Sequence, residues 1–224
     1  MIKQTLIATA ISTLLLTGCQ QTQTTNVSDT ANTVVQTTQT ESEKANAFFE
    51  ETFNRSVMRS PVYQTYMGIK KDYDKWDDGS EARALEDLAL TKKDLVTLNA
   101  MNYAALDDST QVSYNLMKQN LEDTIADFKW RHYNYPVNQM FGTHSMVPAF
   151  LINQHQIANV SDAKAYISRL NGVTEVFSQL EKDLEVRAQK GIIAPKFVFP
   201  HVIDSSENII KGAPFESGED STLL

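Results

Sequence analysis

The chain has 224 residues, a formal net charge of −8, 42% hydrophobic residues and 21% charged residues. That is an ordinary globular composition, with room for one domain of usual size or part of a larger one. The acidity disfavours nucleic acid and anionic lipid headgroups as partners. With only 8 Gly and 6 Pro, turn residues are scarce, which favours long helices over many short strands.

The chain opens with one positive charge at Lys3, followed by an apolar run from Leu6 to Leu16 and then Thr17-Gly18-Cys19. This is the charged, apolar and small-residue order of an export signal. The run is too short to span a bilayer, which needs about 20 residues. Leu16-Thr17-Gly18-Cys19 resembles a bacterial lipobox. The resemblance implies removal of residues 1–18 and acylation of Cys19, the only cysteine in the chain. The alternative is an ordinary signal peptide or signal anchor with an incidental cysteine. Several acyl chains hold a soluble domain firmly on a membrane without a transmembrane helix, so the expected partner is a lipid bilayer through acylated Cys19. Gln20 rather than Asp follows the cysteine, which in lipoproteins of this kind implies the outer membrane, facing the periplasm. With Cys19 acylated no thiol is left for disulfides. Residues 20–40 are nearly all Gln, Thr, Asn and Ser, too polar to bury a core. Residues 19–41 are therefore read as a lipidated cysteine on a flexible stalk.

Folded sequence is expected from Ser42, and its pattern is helical. Phe48, Phe49, Phe53 and Val57 make a stripe at three-to-four spacing. Ser60-Pro61 reads as an N-cap and first helical position. It opens a short helix carrying Val62, Tyr63, Tyr66 and Met67, with Gly68 as its C-terminal stop. Lys70 to Gly79 reads as a charged loop with an amphipathic tip at Tyr73 and Trp76. Ser80 opens a long helix with a seam of Leu85, Leu88, Leu95, Leu98 and Met101, running to Leu106. Asp108 or Ser109 is expected to cap the next, which carries Val112, Leu116, Leu121, Ile125 and Phe128 and fades near Trp130. The short connection makes these two helices antiparallel neighbours. Residues 131–160 have no clean period and leave room for one or two short helices. Ser161-Asp162 is expected to cap a long helix with Ala165, Tyr166, Ile167, Leu170, Val173, Phe177, Leu180, Leu184 and Val186, ended by Gly191. Pro195 starts a last segment with Phe197, Val198, Val202, Ile203, Ile209 and Ile210, which Pro200 is expected to interrupt. The expected fold is all-α: long antiparallel helices with one irregular stretch.

Chemistry leaves few marks. His132, His144, His155 and His201 are not followed by Glu, and no two lie three or four residues apart, so the helical zinc pattern H-E-x-x-H is missing. The first three share one loop-rich region, yet the ordinary reading is hydrogen-bonded or surface histidine. There is no G-x-S-x-G and no phosphate-binding glycine motif. The acidic pairs Glu50-Glu51, Asp77-Asp78, Asp107-Asp108 and Glu122-Asp123 fall on solvated faces or helix ends. No catalytic residue and no metal ligand is assigned. In Tyr133-Asn134-Tyr135-Pro136-Val137-Asn138-Gln139-Met140-Phe141-Gly142, Asn138 and Gln139 lie between apolar neighbours. Such amides either brace the loop backbone or present a donor and an acceptor to a ligand, and bracing is the favoured reading.

The long helices, Tyr135-Pro136-Val137-Asn138-Gln139-x-x-Gly142, Lys190-Gly191-Ile192-Ile193-Ala194-Pro195 and Gly212-Ala213-Pro214-Phe215, in that order, resemble the bacterial lipoprotein family named domain of unknown function 885. The similarity covers roughly Ser42 to Leu224. It implies an all-helical fold related to gluzincin-type zinc carboxypeptidases. Members usually carry H-E-x-x-H and a further Glu ligand beyond the region matched here, and are more than twice as long. No zinc ligand or catalytic residue carries over; zinc and a peptide substrate are implied only for a full-length member. Asn138, Gln139 and Gly142 match a family motif, as a substrate wall or as structure. The last residues, 212–224, read like a loop entering a next helix. Residues 42–224 are thus expected to be the N-terminal part of a larger peptidase-like domain, inactive as a hydrolase by themselves. The alternative is a stand-alone helical lipoprotein that binds a peptide or protein in the periplasm.

Overall fold

The structure, a computed structural model, describes residues 39–221. The described residues hold seven α-helices and no named strand: α1 (Glu41–Met58), α2 (Pro61–Tyr66), α3 (Glu81–Asn99), α4 (Asp108–Asp127), α5 (Thr143–Asn153), α6 (Val160–Gln189) and α7 (Val198–Ile209). The all-α expectation holds. None of these helices is long and apolar enough to cross a membrane. Cys19 and most of the proposed stalk lie outside the described residues.

Local sequence places the helix ends. Thr40 and Glu43 form a reciprocal capping box on α1, with Thr40 Oγ1 accepting from Glu43 N at 3.2 Å and Glu43 Oε2 accepting from Thr40 N at 2.8 Å. Ser60 caps α2 with Pro61 in its first turn, and Ser80 caps α3. Gly68 and Gly191 stop α2 and α6 with φ of 74° and 76°. In each case the glycine and the residue after it donate backward, Gly68 to Thr65 and Ile69 to Gln64, Gly191 to Ala188 and Ile192 to Arg187. This double bond satisfies the last carbonyls and needs a left-handed residue.

A core of Ala45, Leu98, Leu106, Tyr114 and Leu121 joins α1, α3 and α4, with Phe48, Phe49, Leu95, Met101 and Met117 packed around it. The pair α3 and α4 is antiparallel. At one end Gln111 Nε2 donates to the Leu106 carbonyl at 3.1 Å, and at the other Arg131 reaches Glu81 at 2.6 Å.

Several expectations need correction. Helix α3 ends at Asn99, not Leu106, and a 3₁₀ turn follows at Tyr103–Ala105. Met101 and Leu106 still pack inward, so the apolar seam outlasts the helix. Val112 and Leu116 of α4 are exposed, while Thr110, Tyr114 and Leu121 point inward. In α2, Tyr63, Tyr66 and Met67 are exposed and the polar Gln64 and Thr65 are buried. The cap of α6 is Asn159, whose Oδ1 accepts from Ser161 N and Asp162 N. Leu85 of α3 and Ile167 and Leu170 of α6 are likewise exposed, and the most buried residues of α6 are Asp162, Arg169 and Arg187. Pro200 does not interrupt α7: it lies in the first turn, where its missing N–H leaves no bond unmade.

The cap of α4 is Asp107 rather than Asp108 or Ser109. Its Oδ1 accepts from Thr110 N and Ser109 Oγ, both at 2.8 Å. These bonds to the charged form, the Thr110 backbone bond foremost, hold the Asp107 carboxyl far below the usual carboxylate range. Because the folded pKa is lowered, its stabilisation is complete above the unfolded value of about 3.9 and is lost as pH falls below it. Asp107→Asn is expected to flatten the acid limb of stability: the urea midpoint should fall less between pH 5 and pH 2.5 in the variant than in the parent.

Candidate functional site

Besides the ion pairs of Arg55 with Asp94 and of Arg59 with Asp87 between α1 and α3, three places of polar chemistry stand out. The first is the 133–142 loop. Asn138 Oδ1 accepts from Met140 N at 2.9 Å and Phe141 N at 3.1 Å, and Asn138 N donates to the Phe141 carbonyl at 3.0 Å. Asn138 therefore braces a turn, as its sequence context favours. Gln139 is exposed and is not the buried amide that its apolar neighbours suggest. Gly142 has φ of 149°, and a Cβ there would sit 2.6 Å from the Pro136 carbonyl oxygen. Its carbonyl receives Ser145 N at 3.0 Å and Met146 N at 2.8 Å, starting α5.

The second is a buried node on Arg169, whose exposure is 0%. Its guanidinium donates to the Lys75 carbonyl (2.9 Å), the Pro61 carbonyl (3.2 Å) and Thr65 Oγ1 (2.8 Å), and meets His155 Nδ1 at 3.0 Å. The rings of Tyr73, Trp76 and Phe150 surround it at 5.2, 5.7 and 4.8 Å. Burial pushes both Arg169 and His155 below their ordinary pKa values. Next to the node, Asp162 accepts from Lys70 Nζ at 2.7 Å and Ala158 N at 3.0 Å, and these bonds keep its carboxyl below the usual range. Tyr73 and Trp76 thus form an inward strap: Tyr73 stacks on His155 with ring centres 4.1 Å apart, and Trp76 Nε1 donates to the Arg169 carbonyl at 2.8 Å. Each nitrogen of the guanidinium meets a partner from the protein and the side chain is wholly buried, so this node fixes the fold.

The third is an open cleft of about 630 Å³ between the start of α3, the 131–134 turn and the last third of α6. Arg131 pairs with Glu81 at 2.6 Å, and this bond holds the Glu81 carboxyl below its ordinary value. His132 Nδ1 lies 3.2 Å from Asp183 Oδ1, and Arg187 donates to Asp183 Oδ2 at 2.8 Å. Arg187 is buried because it also donates to the Arg131 and Asn134 carbonyls, each at 3.1 Å. Lys182 and Lys190 line the same cleft, exposed.

The histidines do not converge. His132 lies in the cleft, His155 in the Arg169 node, and His201 is exposed. His144 is buried in α5 with Nδ1 unpartnered, and burial lowers its pKa. Among the described residues no group of three His, Cys, Asp or Glu side chains is placed to hold a metal ion. Arg169, Arg187 and Lys70 were not legible as functional or core residues by type. Register offered a signal: Arg169 falls in step with Ala165, Tyr166 and Val173, and Arg187 with Leu180 and Asp183.

Fold and cleft together define an all-helical protein with a charge-lined groove over a rigid, hydrogen-bonded frame. A family model described as "Bacterial protein of unknown function (DUF885)" matches residues 61–222, and the chain belongs to this family. No curated protein and no solved structure matches it.

Proposed function

We propose that this chain is a lipid-anchored, periplasm-facing protein whose helical part recognises peptides rather than cleaving them. The anchor is Cys19, acylated after removal of residues 1–18. The helical part supplies one wall of a peptide cleft in a metallopeptidase-like family member. The observation that carries the reading is the groove beside His132 and Arg187, where fixed donors and free cations line an open channel. Such mixed lining suits a peptide, which offers backbone amides, carbonyls and charged ends. The exposed Phe199 and Ile203 of α7, with Phe197 just before it, add an apolar surface suited to packing against further helical protein.

Two measurements test it. Labelled palmitate should enter the parent protein in a Gram-negative host and co-fractionate with outer membrane, and Cys19→Ser should abolish both. The purified chain, with or without added zinc, should turn over no peptide in a mass-spectrometric cleavage assay. Label-free parent protein, or metal-dependent cleavage, overturns the respective half of the proposal.

A further inference from the structure

We infer that the cleft selects extended acidic peptides, gripping two carboxylates with Lys182 and Lys190. The inference rests on the peptide reading above and names the ligand's chemistry.

The charges in the cleft are mostly committed to each other. Arg131 is held by Glu81, and Arg187 is held by Asp183 and two main-chain carbonyls. Glu175 accepts from Gln179 at 3.2 Å. Lys182 and Lys190 are different: neither ammonium group makes a hydrogen bond or ion pair among the described residues, although both line the cleft and the Lys190 charge is felt by Glu81. Of the acids lining the cleft, Glu81 and Asp183 are held by arginines, whose planar forks hold carboxylates more firmly than a lysine does. The result is a locally cationic groove on a chain of net charge −8. An anionic ligand is therefore drawn to this groove and repelled by most of the remaining surface.

Geometry sets the length. The two lysines lie eight positions apart, Lys182 in α6 and Lys190 at its C-cap, a rise of about 12 Å. In an extended peptide, side chains four residues apart share a face and stand about 13 Å apart. Two carboxylates at that spacing meet both ammonium groups. The floor between them includes Val186 and the walls Arg131 and Gln179, so a short apolar side chain fits the middle position and backbone amides find polar neighbours.

Calorimetric titration of the full chain tests this with acetyl-Glu-Thr-Val-Thr-Glu-amide, the same peptide with both Glu changed to Gln, and with both changed to Lys. The acidic peptide should bind roughly tenfold more tightly than the Gln peptide. That preference should weaken as salt rises. Lys182→Gln combined with Lys190→Gln should erase the preference while leaving the circular dichroism melt unchanged, since both lysines are exposed. Either single variant should lose part of it. Equal binding of acidic and Gln peptides, or an acidic preference that survives the double variant, overturns the acidic grip and leaves the peptide reading standing. Failure of all three peptides to bind at millimolar concentration overturns both.

Discussion

Arg169→Met is expected to lower folding stability by about 4 kcal/mol, the largest single effect in the chain. Met approximates the length of the side chain, so the cavity is small and the loss is chiefly polar. Thr65 and the Pro61 carbonyl keep each other, because Thr65 Oγ1 already donates to that carbonyl at 3.0 Å. The Lys75 carbonyl and His155 Nδ1 lose their partner outright. Each such orphan costs roughly 1–3 kcal/mol, and the loss of a desolvated cation among three rings adds about 1 more. In a chain of this size the melting temperature should fall by roughly 10 °C. The imidazole of His155 should titrate higher in the variant, because Arg169 helps to hold it down. Leu116→Ser is the control: that side chain is 68% exposed and its loss should change stability little. A drop below 1 kcal/mol for Arg169→Met, read by chemical denaturation, would remove the node from its central place.

The second large effect is expected at Gly142, where Ala should cost about 3 kcal/mol. Two causes add. The residue sits at φ of 149° with ψ of 180°, a region that side chains avoid at a cost of roughly 1–3 kcal/mol. The new methyl would also press on the Pro136 carbonyl and on Val137 Cα, 2.8 Å away, both main-chain atoms, with the buried His144 ring at 3.1 Å. Because the Gly142 carbonyl starts α5, the amides of Ser145 and Met146 should exchange faster with solvent, ahead of the rest of the helix. Asn138→Ala, which removes only the turn's brace, should cost nearer 1 kcal/mol. Equal protection of those two amides in parent and Gly142→Ala would refute the placement.

Ends of helices were the most legible part of this fold. Ser60-Pro61, Ser80, Gly68 and Gly191 act locally, through bonds that span three to five residues, and the structure keeps all four. Caps with several polar candidates in a row were less legible: Asp107 beats Asp108, and Asn159 beats Ser161, because the winner depends on where the preceding loop arrives. Period placed Leu121, Ile125 and Phe128 of the α4 stripe inward or half-inward, as they are, but failed at Val112 and Leu116. Those two apolar residues face outward while Thr110 and Tyr114 turn inward, and Asn46 of α1 donates to Thr110 Oγ1 at 3.2 Å. The candidate site was least legible. Its members come from α3, the 131–134 turn and α6, far apart in the chain, and a charged residue is read as solvated until its partners are known. Asn138 and Gly142 were found because their chemistry is local; the Lys182 and Lys190 pair was not, because what distinguishes them is that neighbouring acids are already taken.

Arg169 and Arg187 stand about five turns apart on α6, so they leave the same side of the helix. Between them they grasp the main chain at Pro61, Lys75, Arg131 and Asn134. Carbonyl oxygens are common to all twenty amino acids. These contacts are thus made to what every sequence possesses, while Asn134, whose Oδ1 also meets Arg187 at 2.6 Å, and Tyr73 and Trp76, whose rings face Arg169, are tied by type. In evolutionary terms α6 is a clasp that leans on the main chain: substitution at rim positions outside these contacts can rewrite what the groove presents while its position is inherited unaltered.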